Sequence, residues 1–175
     1  KKVYKNMYCN NIMKVIKRDG NTENISFDKI LTRLKCLVEM DPIINIEYDI
    51  IAQKVITQIY DGIYTKELDE LAASICTSYS TNNPEYSKLA SRIIISNNQK
   101  NTPKLFSECI DILYNNYDHK NKHIPLVSDK LYNILNNNKE VINNKIINEW
   151  DFNFDYFAFK TLEKSYLFKK NKITI

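Results

Sequence analysis

The first regular pattern in the chain is a short alternation of apolar and polar positions that follows an aperiodic start. Residues 1–12 (KKVYKNMYCNNI) show no periodicity, and we expect a loose leader there. The segment MKVIKR is then typical of a strand, Asp19-Gly20 of a tight hairpin turn and TENIS of the return strand. The sequence therefore predicts a β-hairpin within residues 13–26.

Apolar residues next recur every three or four positions over four stretches, which predicts four amphipathic helices. They cover residues 27–40, 47–60, 66–80 and 84–101. Asp41-Pro42 is expected to stop the first helix, because a proline disfavours helical backbone in the residue before it. Thr65 is the predicted N-cap of the third helix, and Asn83-Pro84 opens the fourth.

The second part of the chain keeps a helical pattern and ends in an aromatic-rich tail. Thr102-Pro103 opens a helix over KLFSECIDILYNNY, and another helix is predicted from about 126 to 137. The tail EWDFNFDYFAFKTLEKSYLFKK holds eight aromatic residues, which need something to pack against. Two sources of cover stay open: residues 103–138 for some of them, or a partner or further part of a longer chain, which is at least as consistent with the pattern. The final KNKITI is typical of the start of a strand.

These patterns predict an α+β fold that is mostly helical. A β-hairpin or small sheet caps a four-helix bundle over residues 13–102, and a helical segment follows over residues 103–175. The short connections between the first four helices are consistent with a closed unit.

Composition narrows the classes of function. The net charge of +4 is mild, so it fits a single nucleotide better than a nucleic-acid duplex. The four cysteines form no C-x-x-C pair, so we expect no metal site and interpret Cys36 and Cys76 as reduced core thiols. With no signal peptide and no 18-residue apolar run, we expect a soluble cytoplasmic protein that does not bind membranes.

Several charged residues surround the predicted hairpin, and they allow two interpretations. An ordinary solvated surface is one; a site for an anionic ligand is the other. Lys29 favours the second, because a first helical turn places its ammonium beside free backbone N–H groups. Lys17 and Arg18 are adjacent, so both reach one ligand only if the strand twists or ends there. Thr65 and Asp69 share one helical face.

The sequence shows neither a glycine-rich phosphate loop nor a paired carboxylate, a Ser/His/Asp set or an activated cysteine. We therefore expect no catalytic residues in this region. A single glutamate among basic residues suits a ligand with an anionic end and a hydrogen-bonding base, such as a purine nucleotide.

Three segments together resemble a known domain. MKVIKRDGNTENISFDKILTRL, YDGIYTKELDELAAS and NPEYSKLASRIIISNNQK resemble the ATP-cone at the N-terminus of the ribonucleotide reductase large subunit. LFSECIDILYNNYD, HIPLVSDKLYNIL and DFNFDYFAFKTLEKSYL resemble the helical region that follows the cone in class I, eukaryotic-type large subunits. The resemblance covers about residues 13 to 170, and the order and spacing of the segments agree.

The resemblance implies an allosteric role. In this family the cone binds ATP or dATP, which we expect together with Mg²⁺, and sets the overall activity of deoxyribonucleotide synthesis for DNA replication. It also implies homo-oligomers formed through the cone and no tightly bound metal. Carried over by position, the nucleotide contacts are Lys17, Arg18, Glu23, Asn24, Ile25, Ser26, Phe27, Asp28, Lys29, Thr65, Asp69 and Lys100.

The family's oxidoreductase chemistry needs a ten-stranded barrel and catalytic cysteines, which the resemblance places beyond these 175 residues. We therefore expect this chain alone to be inactive, its partners being the remainder of the large subunit and a radical-generating small subunit. The aromatic tail favours a fragment. Two alternatives stay open: a stand-alone nucleotide-sensing interaction module, and a degenerate cone that binds no ligand. The cone of zinc-ribbon repressors is disfavoured, because C-x-x-C is absent.

Overall fold

The computed structural model describes residues 13–40, 44–170 and 173–174. The predicted leader, Cys9 and the Asp41-Pro42 stop lie outside the described residues. The first part of the chain contains β1 (Lys14–Ile16), β2 (Thr22–Asn24), α1 (Phe27–Glu39), α2 (Tyr48–Gln58), β3 (Ile63–Tyr64), α3 (Thr65–Tyr79) and α4 (Glu85–Asn101). The hairpin and the four helices predicted from periodicity are confirmed.

The second part of the chain is mainly helical, as predicted. It contains α5 (Phe106–Tyr114), α6 (Asp129–Asn137), α7 (Lys139–Lys145), a 3₁₀ helix (Asn148–Asn153), α8 (Tyr156–Ser165) and a short hairpin of β4 (Lys169–Lys170) and β5 (Ile173–Thr174). Within the described residues, no helix combines the length and the apolar character needed to cross a bilayer.

The first sheet has a third strand that periodicity did not predict. Its order is β2-β1-β3, with β2 antiparallel and β3 parallel to β1. Gly62 has a φ of +81°, a conformation that glycine adopts without steric cost, and its N–H donates to the Lys14 carbonyl at 2.8 Å. This turn places Ile63 beside Val15, so the start of α3 is fixed against the hairpin.

The four helices enclose the main apolar core, with α3 and α4 as its central pair. The largest fully buried side chains are Leu34, Ile51, Val55, Cys76, Leu89, Ile93, Ile94 and Ile95. Burial raises the pKa of the Cys76 thiol to about 12, as expected for a reduced core cysteine. The interpretation of Cys36 as a core thiol is wrong: it is exposed, because it lies two positions after Leu34 and thus on the opposite side of α1.

The helix starts differ from prediction at several places. The N-cap position of α3 is Tyr64 rather than Thr65, because the Glu67 carboxylate reaches back to accept the Tyr64 N–H and the helix begins one residue earlier. The N-cap position of α4 is Pro84 rather than Asn83, although Asn83 Oδ1 accepts the N–H of Glu85 at 2.9 Å. Helix α5 begins at Phe106 instead of directly after Pro103. Helix α6 begins at Asp129, capped by Ser128.

The aromatic tail is covered from a direction that the sequence did not indicate. Phe159 is buried in the four-helix core, and Phe152 and Tyr156 pack against the same core. The four-helix core therefore covers these three residues, since the tail returns to α4. Other aromatic side chains remain largely exposed, namely Trp150, Phe157, Tyr166 and Phe168.

The packing of Phe159 gives a stability prediction. Replacing Phe159 by alanine should lower the free energy of unfolding by about 3 to 5 kcal/mol, because a buried aromatic is lost and a cavity remains. The matched control is Phe157→Ala two residues earlier, whose side chain is 65% exposed and whose loss should cost less than about 0.5 kcal/mol. Urea unfolding measures both; similar losses would contradict the docking of α8 on the core.

Candidate functional site

The hairpin, α1, α3 and the end of α4 enclose a cavity of about 220 Å³. One part of its wall is apolar, formed by Val15, Ile25, Ile30, Leu34, Leu68 and Ala72. Ten of the twelve residues predicted to bind a nucleotide line it: Lys17, Arg18, Glu23, Asn24, Ile25, Ser26, Lys29, Thr65, Asp69 and Lys100. The structure therefore collects in one place residues that are up to 83 positions apart.

Phe27 and Asp28 are not among the residues that line the cavity. Both belong to the first turn of α1, where each residue is rotated by about 100° from the previous one. Lys29, Ile30, Arg33 and Leu34 line the cavity from that helix, and the rotation places Asp28 on the opposite side of it. Phe27 is on the side of Ile30 and Leu34, at the first position of the helix, but does not line the cavity.

Lys17 and Arg18 reach the same cavity because β1 ends at Ile16. The alternation of a strand therefore no longer applies to them. Residues 17–21 form a loop, longer than the predicted two-residue turn, in which the Lys17 N–H donates to the Asn21 carbonyl at 2.8 Å. Gly20 supplies the left-handed conformation, with a φ of +85°.

Glu23 lies between two basic side chains at the cavity wall. Its carboxylate forms an ion pair with Lys17, at 2.5 Å between Nζ and Oε2, and a second ion pair with Lys29. The two ammonium groups come from the hairpin loop and from the first turn of α1. Glu23 therefore holds two cations of like charge close together at the cavity wall.

Arg18 is bound by acceptors from two helices. Its Nε donates to Asn101 Oδ1 at 2.8 Å, and its Nη2 donates to Asn97 Oδ1 at 2.5 Å and to Asp69 Oδ2 at 3.3 Å. Asn97 is only 3% exposed, and its amide also donates to the Lys66 carbonyl at 3.1 Å. Arg18 therefore fixes the hairpin loop to α3 and α4.

Arg33 is a site residue that sequence reasoning missed. Its Nε lies 3.5 Å from Asp69 Oδ1, and its Nη2 donates to Ser96 Oγ at 2.9 Å. The available signal was its spacing: Arg33 is four residues after Lys29 and so occupies the same face of α1. Sequence reasoning also missed Asn97. The chain contains many asparagines, and nothing in the sequence distinguishes this one from the others.

Positive charge is in excess around the cavity. The lining contains five basic side chains, Lys17, Arg18, Lys29, Arg33 and Lys100, and two carboxylates, Glu23 and Asp69. Desolvation lowers the pKa of Lys100, and the nearby Arg33 and Arg18 guanidinium groups lower it further, whereas Asp69 opposes the shift. An anion in the cavity would relieve the repulsion among these cations.

A second space of about 510 Å³ shares four lining residues with this cavity, namely Lys17, Arg18, Thr65 and Lys100. Its other polar lining residues are Tyr64, Lys66, Asn98, Asn101 and Glu163. We call this second space the polar opening, and the part of the first cavity lined by apolar side chains its apolar end. In the parts of the chain that the structure describes, no cluster of three or more His, Cys, Asp or Glu side chains could hold a metal ion.

Comparison with known proteins matches residues 13–101, which contain this cavity, to the ATP cone domain. The chain belongs to the ATP-cone family. The sheet, α1 to α4 and the residues that line the cavity all fall within the matched range, so the cavity is a feature of the cone.

Similarity extends beyond the cone. The chain is 49% identical over 160 residues to the ribonucleoside-diphosphate reductase large subunit of monkeypox virus, covering 91% of this chain and 21% of that protein. It is 44% identical to large chain 2 of Saccharomyces cerevisiae and 43% identical to the large subunit of Arabidopsis thaliana. The chain is therefore homologous to the N-terminal region of eukaryotic-type large subunits. It spans about a fifth of the length of the curated relatives it matches.

The polar network gives a prediction about the cone's stability. Asn97→Ala should lower the free energy of unfolding by about 1 to 3 kcal/mol, because it leaves the Lys66 carbonyl and one Arg18 donor without their partner. Asn98→Ala, at the next position of α4 and less buried, is the control and should cost less than about 0.5 kcal/mol. Equal effects in thermal or urea unfolding would show that the network does not hold the hairpin.

Proposed function

We propose that this chain is an allosteric nucleotide-binding region of a ribonucleotide reductase large subunit, which controls overall activity in deoxyribonucleotide synthesis by binding ATP or dATP. One observation carries the proposal: five basic side chains surround a cavity with an apolar end and only two carboxylates. A nucleotide matches this arrangement, because it joins a flat, weakly polar base to a polyphosphate.

The distribution of charge supports one orientation of the ligand. The base enters the apolar end, between the hairpin and Leu68, where backbone and side-chain groups of residues 23–26 supply hydrogen bonds. The phosphates extend toward Lys17, Arg18 and Lys100 and then into the polar opening. Lys29 adds a cation at the start of α1, where free N–H groups also favour a phosphate.

Mg²⁺ accompanies the nucleotide in this proposal. Magnesium in nucleotide sites is held largely by phosphate oxygens and water, with one or two carboxylates, so the protein needs no dedicated cage of ligands. The carboxylates of Glu23 and Asp69 are both engaged by basic side chains. The cone's own residues therefore bind the phosphates, and the metal neutralises the remaining charge.

The two parts of the chain have different roles in this proposal. Residues 13–102 form the regulatory cone, and residues 103–175 form the helical segment by which it joins the remainder of a large subunit. The exposed aromatic side chains Trp150, Phe157, Tyr166 and Phe168 support a packing surface in the second part. A small subunit and further copies of the large subunit, bound through the cone, complete the proposed assembly.

Calorimetric titration in magnesium buffer tests the site directly. We expect micromolar binding of dATP and ATP and weak or absent binding of GTP. Lys29→Ala should weaken dATP binding by about 1 to 3 kcal/mol, the usual size of a charge-assisted contact. Lys35→Ala is the matched control, because Lys35 lies on the same helix and pairs with Glu39 away from the cavity.

Two results would contradict the proposal. A folded sample that binds none of the three nucleotides would show a degenerate cone. Normal dATP binding by Lys29→Ala would place the phosphates elsewhere in the protein.

The lowered pKa of Lys100 predicts a pH dependence of binding. Bound phosphates favour the ammonium form, so its pKa is higher in the complex than in the free site, and binding takes up a proton between the two values. Affinity for dATP should therefore fall as the pH rises through the pKa of Lys100 in the free site, a range in which the phosphates are already ionised. Lys100→Arg should flatten this profile, because a guanidinium stays charged. The same slope in both proteins would exclude Lys100 as the titrating group.

A further inference from the structure

Helix α8 brings a carboxylate to the opening of the nucleotide cavity. Glu163 lines the same space as Lys17, Arg18, Lys66 and Lys100, although it belongs to the segment after the cone. It is the one acidic residue among those that line this space. The described residues thus place a negative charge opposite the cations that the proposed triphosphate would contact.

The position of Glu163 follows from the docking of α8. Asp155 caps this helix by accepting the N–H of Ala158 at 2.7 Å, and Phe159 anchors it in the four-helix core. Glu163 is one turn beyond Phe159, so both side chains lie on the face toward α4. On the same helix α4, Gln99 donates to Asp151 at 2.8 Å, just before α8, and Lys100 faces the cavity.

Glu163 is held by a partner on its own helix. Lys160 Nζ lies 2.8 Å from Glu163 Oε2, and Lys160 is not among the residues that line the opening. The side chains of this pair are about two thirds or more shielded from solvent. The pair therefore keeps a carboxylate at the opening while restraining it from moving onto the cavity cations.

We propose that Glu163 makes nucleotide binding and the docking of α8 oppose each other. A bound polyphosphate repels this carboxylate and offsets the attraction between it and the cations that line the opening, so occupancy weakens the attachment of α8 to the cone. The inference rests on the proposed nucleotide function and adds to it a route by which occupancy reaches the helical segment. Because coupling between two equilibria is reciprocal, loosening α8 strengthens nucleotide binding by the same factor.

Two substitutions with opposite expected effects test the role of the carboxylate. Glu163→Gln removes the competing charge and should tighten dATP binding by about threefold, the size expected for a partly exposed charge pair. Lys160→Gln releases the carboxylate toward the cavity and should weaken binding by a similar factor. Glu149→Gln, on the exposed 3₁₀ helix, removes the same charge away from both cavities and should leave the affinity unchanged.

A series of ligands separates this charge effect from a change in packing. Titration of the full chain with dAMP, dADP and dATP should show that the gain from Glu163→Gln grows with the number of phosphates. An equal gain for all three would point to a structural change and overturn the proposal. The proposal would also be overturned if the wild-type chain binds dATP and both Glu163→Gln and Lys160→Gln bind it with the same affinity. That result would leave the proposed nucleotide site standing. Absence of dATP binding by the wild type would instead reject the nucleotide function and this inference together.

Amide hydrogen exchange reports how firmly α8 is attached to the cone, and a change in nucleotide affinity alone would not alter it. Saturating dATP should speed amide exchange within residues 156–165 in the wild-type chain, and this acceleration should disappear in Glu163→Gln. Exchange in α1 and α3 should slow on binding in both proteins, which confirms that the site is filled. If dATP also speeds the exchange of α8 in Glu163→Gln, the effect of the nucleotide on α8 does not depend on Glu163.

Discussion

The position of the hairpin in the cone depends on the hydrogen bonds of one partly buried guanidinium, that of Arg18. Arg18 lies in the hairpin loop, two residues beyond a three-residue strand that could not hold the hairpin in place by itself. Its donors are satisfied only when α3 and α4 present Asp69, Asn97 and Asn101 together. A hairpin displaced from this position would leave the buried Asn97 and the nearly buried Asp69 without Arg18, which is costly. The shape of the cavity is therefore determined by polar contacts, whereas the apolar core determines the bundle.

The same network gives the cavity its charge. Asp69 is shared by Arg18 and Arg33, so one carboxylate holds two cations that would otherwise separate, and Glu23 does the same for Lys17 and Lys29. The two carboxylates assemble the basic wall without neutralising it. The excess of positive charge around the cavity is therefore a property of the folded cone, and ion pairs position the basic side chains.

Periodicity predicted the hairpin and the four helices because each helix has a continuous apolar face, as in the stripe from Ile30 to Val38. It did not predict β3, since two residues are too short to show alternation. It also missed the return of Phe159 to the core, because such a contact depends on the path of the chain between α4 and α8. At the site, the resemblance to a known family identified charged residues such as Lys17 and Arg18. It did not identify residues such as Asn97, whose role depends on burial in the folded protein.

The burial of Phe159 has a consequence for how the protein is made. The ribosome releases α1 to α4 well before α8, so the apolar surface of α4 that Phe159 covers is open to water during synthesis. The nascent cone therefore completes its core only when a much later part of the chain arrives. Contacts of such long sequence separation slow folding, and the uncovered surface is where we expect chaperones or unwanted self-association to act first.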